Sequence, residues 1–267
     1  MKIEFVNHAS YIVEWGKNKD RLITDPWLSG SAFNHGWSHI SKTKFQYEDF
    51  KNIKYIWFSH EHPDHFSPKD INEIPEKIRS DIIVLYQKTN DKKLLEFCKK
   101  KFKDVIELTK NRWIDLDESI KIFCSPFGTS DSYMALSDGN TTILNLNDCV
   151  LHDKKSCYNV KKLIGKVDVL FSQFSFATWV GNKSDSINPN RIALQKLKAL
   201  KMQSEIFETK FIIPFASFIY FSRAENKYLN KYVNTIGDTY NYLKKNIKAK
   251  PIIMYPGDSW NLYEKHN

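Results

Sequence analysis

The stretch Tyr55-Ile56-Trp57-Phe58-Ser59-His60-Glu61-His62-Pro63-Asp64-His65 constrains this chain more than any other. An apolar, aromatic-rich run of strand character ends abruptly in three histidines and two acids within six residues. Imidazole and carboxylate bind zinc, iron or manganese without thiolate. In extended backbone alternate side chains share a face, so His60 and His62 point the same way. Asp64 and His65 follow in the turn toward the next helix, where a second ligand set can face a second metal. A lone histidine is more often a loop or core residue. Three in six residues after a buried strand favour a metal site at the rim of a sheet, open to substrate.

The rest of the chain alternates strands and helices. Residues 2–15 and 20–24 read as two strands of a hairpin around Gly16-Lys17-Asn18. Pro26 ends the second, because it cannot continue a central ladder. Residues 29–47 form a long aromatic and polar loop with His35 and His39, of a length that predicts a functional role over the site. Ser67 as N-cap and Pro68 in the first turn start a short helix. Further strands are expected at 53–58, 81–86, 105–108, 120–124, 133–137, 141–146, 167–172, 211–214 and 252–254, with Asp138-Gly139 as a hairpin turn. Helices are expected at 92–103, 188–209 and 232–246. Hairpins followed by β-α units occur in both halves, without repeat or linker. That order predicts an α/β fold of two sheets covered by helices, one domain over residues 1–267.

Forty Lys and Arg against 31 acids give a formal charge of +9. The lysines are scattered or lie in short runs such as Cys98-Lys99-Lys100-Lys101-Phe102-Lys103, which read as solvated helix faces. Nucleic acid is therefore not an expected partner, whereas an anionic small molecule is. Four cysteines with no CxxC pair suggest reduced, buried thiols. No apolar run approaches the roughly 20 residues of a transmembrane segment. The opening Met1-Lys2-Ile3-Glu4-Phe5-Val6 alternates like a strand, not like a signal peptide, so the expected location is cytoplasmic. Nothing in the sequence fixes an oligomeric state.

Single residues carry less. Asp148 ends the 141–146 strand, where a carboxylate can bridge two metals or merely favour the turn. His8 in Asn7-His8-Ala9-Ser10 can contact substrate, support a ligand or pack. Asp25 can hydrogen-bond a ligand histidine or form a turn. Asp258 in Pro256-Gly257-Asp258 is ordinary turn chemistry unless a metal recruits it. No Walker loop, GxGxxG or GxSxG element is present.

The segment His60-x-His62-x-Asp64-His65 resembles the HxHxDH signature of the metallo-β-lactamase superfamily. Asn7-His8-Ala9-Ser10, Thr24-Asp25-Pro26-Trp27-Leu28-Ser29-Gly30 and Asn145 to Asp148 fall in that superfamily's order. Within it the chain is most similar to the branch of ascorbate-6-phosphate lactonases, N-acylphosphatidylethanolamine phospholipase D and CMP-sialic acid hydroxylase-like proteins. The segments from Gln173 to Trp179, Pro214 to Phe218 and Tyr255 to Trp260 resemble the last of these.

The resemblance implies an αββα sandwich of the metallo-β-lactamase fold and one or two divalent metals, zinc, iron or manganese. His60 and His62 would serve one metal, Asp64 and His65 the other, and Asp148 would bridge them. Asp64 and His8 are the catalytic candidates, and His39, Trp179 and Arg223 the substrate-binding ones. Two ligand histidines usual in the superfamily are missing: none lies between Cys124 and Ser132, and after His152 only His266 remains. Asp131 or Asp258 could replace them with oxygen. The implied function is a metal-dependent hydrolase acting on an anionic small molecule (sugar phosphate, lactone or nucleotide sugar) through metal-activated water. The alternatives are a metal-dependent oxygenase or hydroxylase component related to CMP-sialic acid hydroxylase, and a catalytically inactive binding subunit. Paired Cys and His ligands for a Rieske cluster are absent from the sequence, so hydroxylation would need a separate electron donor.

Overall fold

A computed structural model describes residues 1–178, 180–185 and 187–264. Strands β1 (Lys2–Asn7), β2 (Ser10–Trp15) and β3 (Asp20–Thr24) form an antiparallel meander. After two short strands, β4 (Ser31–Ala32) and β5 (Trp37–His39), the sheet continues in parallel through β6 (Tyr55–Phe58), β7 (Ile83–Gln87) and β8 (Asp104–Leu108). All four β6 side chains are buried, and they divide by parity: Tyr55 and Trp57 face the second sheet, Ile56 and Phe58 the helices behind.

The second sheet repeats this plan. Strands β9 (Arg112–Asp117), β10 (Ile120–Phe127), β11 (Asp131–Ser137) and β12 (Thr142–Asn145) are antiparallel neighbours. Strands β13 (Val169–Gln173) and β14 (Phe211–Phe215) then join in parallel. Strand β15 (Ile219–Phe221) leaves to pair with β5, and β16 (Lys250–Pro251) and β17 (Ser259–Asn261) close the edges of the second and first sheets.

Helices α1 (Pro68–Glu73), α2 (Glu76–Arg79) and α3 (Lys93–Lys99) lie behind the first sheet; α4 (Lys154–Ile164), α5 (Pro189–Phe207) and α6 (Ile236–Asn246) pack on the second. The result is the expected αββα sandwich, two seven-stranded sheets sharing one core. The stack of Tyr11 (β2) on Phe171 (β13), centroids 4.0 Å apart and planes at 7°, joins the sheets at their centre. Among the described residues no helix is long and apolar enough to cross a membrane. All four cysteines are free and buried.

Several elements differ from the sequence expectation, each for a local reason. The strand expected over 2–15 is broken at His8, whose φ of 37° makes a tight turn secured by Asn7 Oδ1 accepting from His8 N. The 29–47 segment is not all loop, since β4 and β5 form a small sheet with β15. Strand β9 and helix α4 were not expected. The last helix begins only at Ile236, where Thr235 caps it by accepting from Asp238 N. Residues 252–254 form no strand, and the edge strand stops at Pro251, although Ile252 N still reaches Ile212 O. The Ser67 cap, with Pro68 behind it, and the Asp138-Gly139 turn stand as expected.

Phe171 is fully buried between the sheets. Phe171→Ala should therefore cost about 3–5 kcal/mol in urea unfolding. A loss below about 1 kcal/mol would contradict the inter-sheet packing.

Candidate metal centre

Parallel strands deliver their C-terminal ends to one edge of a sheet, where α/β proteins place their sites. Here β6 runs out into Ser59, β7 ends at Gln87, β12 runs out into Asn147 and Asp148, and β13 ends at Gln173. The buried Asp25 carboxylate lies among them. Its oxygens accept from Ser59 N (2.8 Å), Ser59 Oγ (2.7 Å), Asn147 Nδ2 (2.9 Å) and His65 Nδ1 (3.0 Å). Four donors compensate a charge that would otherwise be costly to bury.

These bonds orient the histidines. His65 Nδ1 donates to Asp25, which turns Nε2 toward the carboxylates as the nitrogen a metal would take. The Ser59 hydroxyl gives its proton to Asp25, so its oxygen accepts from His60 Nδ1 (2.8 Å), and His60 Nε2 is likewise the open nitrogen. His65 Nε2 stands 3.4 Å from one oxygen each of Asp64 and Asp148. His60 Nε2 faces His62 Nδ1 at 2.8 Å and Asp131 at 3.6 Å. Ser132 Oγ and Gln87 Nε2 both donate to Ser59 O, and Gln87 Nε2 also donates to Ser130 O, which holds the start of β11, with Asp131, against the histidine turn.

Three overlapping groups result, each with ligand atoms within 4.8 Å of one another: His60, His62 and Asp131; His60, His65 and Asp148; His8, Asp64 and His65. These residues fit a metal. His65 Nε2 and Asp64 Oδ1 are buried without a hydrogen-bond partner, and several lone pairs converge without enough protons to share. The electrostatics agree. Burial, followed by the charge of His65, pushes His60 down to about 3, so it stays a neutral ligand. Burial opposes the ionised form of Asp64, yet His65 and His8 outweigh it and hold the carboxyl well below its usual range. Burial lowers His65, but Asp64 and Asp148 outweigh it and hold a proton there, which a metal would displace.

The other candidates are placed as follows. His8 Nε2 contacts Asp64 Oδ2 at 3.3 Å from the tight turn after β1. Asp258 is not brought to the cluster: it is exposed in the Pro256-Gly257 turn, where its carboxylate accepts from Tyr255 N, so turn chemistry rather than ligation explains it. His39 packs at a tilt against Trp27, centroids 3.7 Å apart, and lines a separate cleft; burial, followed by the charge of His8, lowers it to about 4. Arg223 is exposed at the rim of the main cavity, and Trp179 lies outside the described residues. The main cavity, of ≈ 730 Å³, opens on His62, Asp131 and Asp148. The 29–47 segment does reach it, through Trp37 and through Phe33, whose ring meets that of His62 at 5.8 Å. Sequence reasoning missed Gln173, Gln87 and Lys196. Their positions at strand ends or on a facing helix are the only signal that could have found them.

A two-sheet sandwich carrying a histidine–carboxylate cluster at one edge defines the metallohydrolase class of αββα proteins. The chain belongs to the β-lactamase superfamily domain family, whose model matches residues 2–172, and so to a superfamily of metal-dependent hydrolases. It is 26% identical over 177 residues to a metal-dependent hydrolase of Pyrococcus horikoshii, covering 63% of this chain and 70% of that one. It is 23% identical over 246 residues to the cytidine monophosphate-N-acetylneuraminic acid hydroxylase of Danio rerio, covering 86% of this chain but 40% of the relative. In structure it superposes on CmlA, a diiron β-hydroxylase from Streptomyces venezuelae, with a TM-score of 0.65 and 14% identity, over 98% of this chain and 54% of that one. The chain thus spans well under half the length of the hydroxylase relative it matches.

Asp25→Ala should weaken divalent-metal affinity about 10–100-fold in a chelator competition titration, because the histidines lose their orienting partner. Asp258→Ala should leave that affinity unchanged. Equal losses would restore Asp258 as a ligand.

Proposed function

We propose that residues 1–267 act as one domain and as a metal-dependent hydrolase of an anionic small molecule, such as a sugar phosphate, a lactone or a nucleotide sugar. One arrangement supports this reading: His60, His62, Asp64, His65, Asp131 and Asp148 converge at the edge of a large cavity whose other wall carries cations and aromatic rings. His60, His62 and Asp131 would hold one divalent ion, and Asp64, His65 and Asp148 the other. Zinc, iron and manganese all accept such a donor set; its three carboxylates weight it toward iron or manganese. Bound there, the ions would supply Lewis acidity that polarises the scissile group and brings a water's ionisation toward neutral pH.

The chain's own groups do the rest. Asp64 Oδ1, buried and unpartnered, would accept the proton of such a water. His8 Nε2, on the other oxygen, keeps the carboxylate turned. Gln173 Nε2 donates to Asp148 Oδ1 at 3.3 Å and fixes that carboxylate's rotation. Phe33 and Trp37 exclude bulk water from one side of the cavity.

A second reading draws on Asp131, an oxygen donor beside His60 and His62, and on the hydroxylase relatives. It is oxygen-dependent hydroxylation with electrons from a reductant.

Freshly purified protein should contain about two metal equivalents by plasma mass spectrometry, lost together with ester or phosphoester hydrolysis in His60→Ala/His62→Ala. Hydrolysis that persists under anaerobic conditions favours the first reading. Turnover that needs both oxygen and a reductant favours the second. Failure to bind metal after reconstitution would sink both.

A further inference from the structure

On helix α5, Lys201 pairs with Glu205 at 3.8 Å. Lys196, on the same helix, does not. It points into the wall of the main cavity, where its ammonium donates to the neutral Gln173 Oε1 and, among the described residues, forms no ion pair. An ammonium has three donors, and Gln173 accounts for one. Among the described residues it makes no second hydrogen bond, and its side chain lines the cavity. Desolvation lowers this amine, and the nearby Asp148 charge only partly offsets it.

The position is specific. Lys196 lines the same cavity as Asp131 and Asp148, and its partner Gln173 bonds Asp148 directly. Trp37 lines that cavity too, as an aromatic surface for the body of a ligand. The other cation, Arg223, is exposed at the mouth beside Glu225, where solvent and salt screen it. Arg223 can steer an anion inward but cannot discriminate one bound at depth.

We propose that Lys196 is the specificity-determining residue of this site, the counter-ion for a carboxylate or phosphate group on the substrate, seated between Trp37 and the Asp131–Asp148 edge. Calling that molecule a substrate rests on the hydrolase reading above; the recognition of an anion by Lys196 does not. A charge-assisted bond from a desolvated ammonium is worth more than a neutral one, and its loss falls mainly on binding.

The test uses metal-loaded protein and two esters with one leaving group, neutral 4-nitrophenyl acetate and anionic mono-4-nitrophenyl succinate. Wild type should prefer the succinate ester. In Lys196→Met the ratio of the two kcat/KM values should fall about 10–100-fold, chiefly through KM, with metal content retained, and Lys196→Arg should restore most of the preference. An unchanged ratio would overturn the proposal. So would loss of metal in Lys196→Met, which would make the residue a tie for Gln173 and Asp148. If wild type hydrolyses neither ester, the hydrolase reading fails by itself. Calorimetric binding of succinate then decides: weaker binding to Lys196→Met than to wild type upholds the anion site, and equal binding removes it.

Discussion

The buried carboxylate of Asp25 is the interaction on which the centre depends. It lies between the first sheet and the end of β12, where four donors from Ser59, His65 and Asn147 reach it. The dependence runs both ways. Those donors are held by the charge, and two of the bonds decide which nitrogen of His60 and of His65 is left open. The positive φ of Asp25, 35°, is a backbone conformation that a side chain rarely adopts without compensation. Its four hydrogen bonds supply that compensation. The geometry of the histidines is thus set by a residue that does not line the main cavity.

The same logic explains why the second sheet matters to a motif carried by the first. Ser59 O receives Ser132 Oγ from β11 and Gln87 Nε2 from β7, and Asn147 crosses from the end of β12 to Asp25. These links bring Asp131 and Asp148 to the histidine turn. The end of β14 approaches as well: Ala216, with φ of 53°, donates its N–H to His8 O and presents only a methyl group. Where that strand end offers no ligand, His8 is the imidazole beside Asp64. The cluster is therefore asymmetric, with a carboxylate completing the His60–His62 group and a histidine at the far side of Asp64.

The legible parts of the sequence were those whose information is local. Strand β6 and the six residues after it announce themselves because apolar parity and ligand spacing sit side by side. Caps and turns such as Ser67-Pro68 and Asp138-Gly139 are legible for the same reason. The turn at His8 was hidden because no glycine marks its positive φ, and the apolar pattern runs across it unbroken. Helix α4 is amphipathic, with Cys157, Val160 and Ile164 buried on one face, but its lysine-rich, strongly polar composition reads as a solvated stretch. Asp131 could be named from the sequence as a replacement oxygen, but nothing there distinguished it from Asp258. Only the register of β11 against the histidine turn separates them. Gln173 and Lys196 carry no local mark, because their meaning lies in facing each other across a helix–sheet contact.

That contact links recognition to the metal-facing edge. The amide of Gln173 binds Lys196 through its oxygen, and Asp148 and Ala216 O through its nitrogen. An anion drawn to the ammonium would compete for the proton donors that now hold the amide, and Asp148 is one hydrogen bond further on. Low local dielectric strengthens each member of such a chain and makes a broken one costly. Filling the cavity with the right charge and orienting the Asp148 carboxylate are then parts of a single equilibrium. A neutral molecule of the same shape would have no direct means of engaging it.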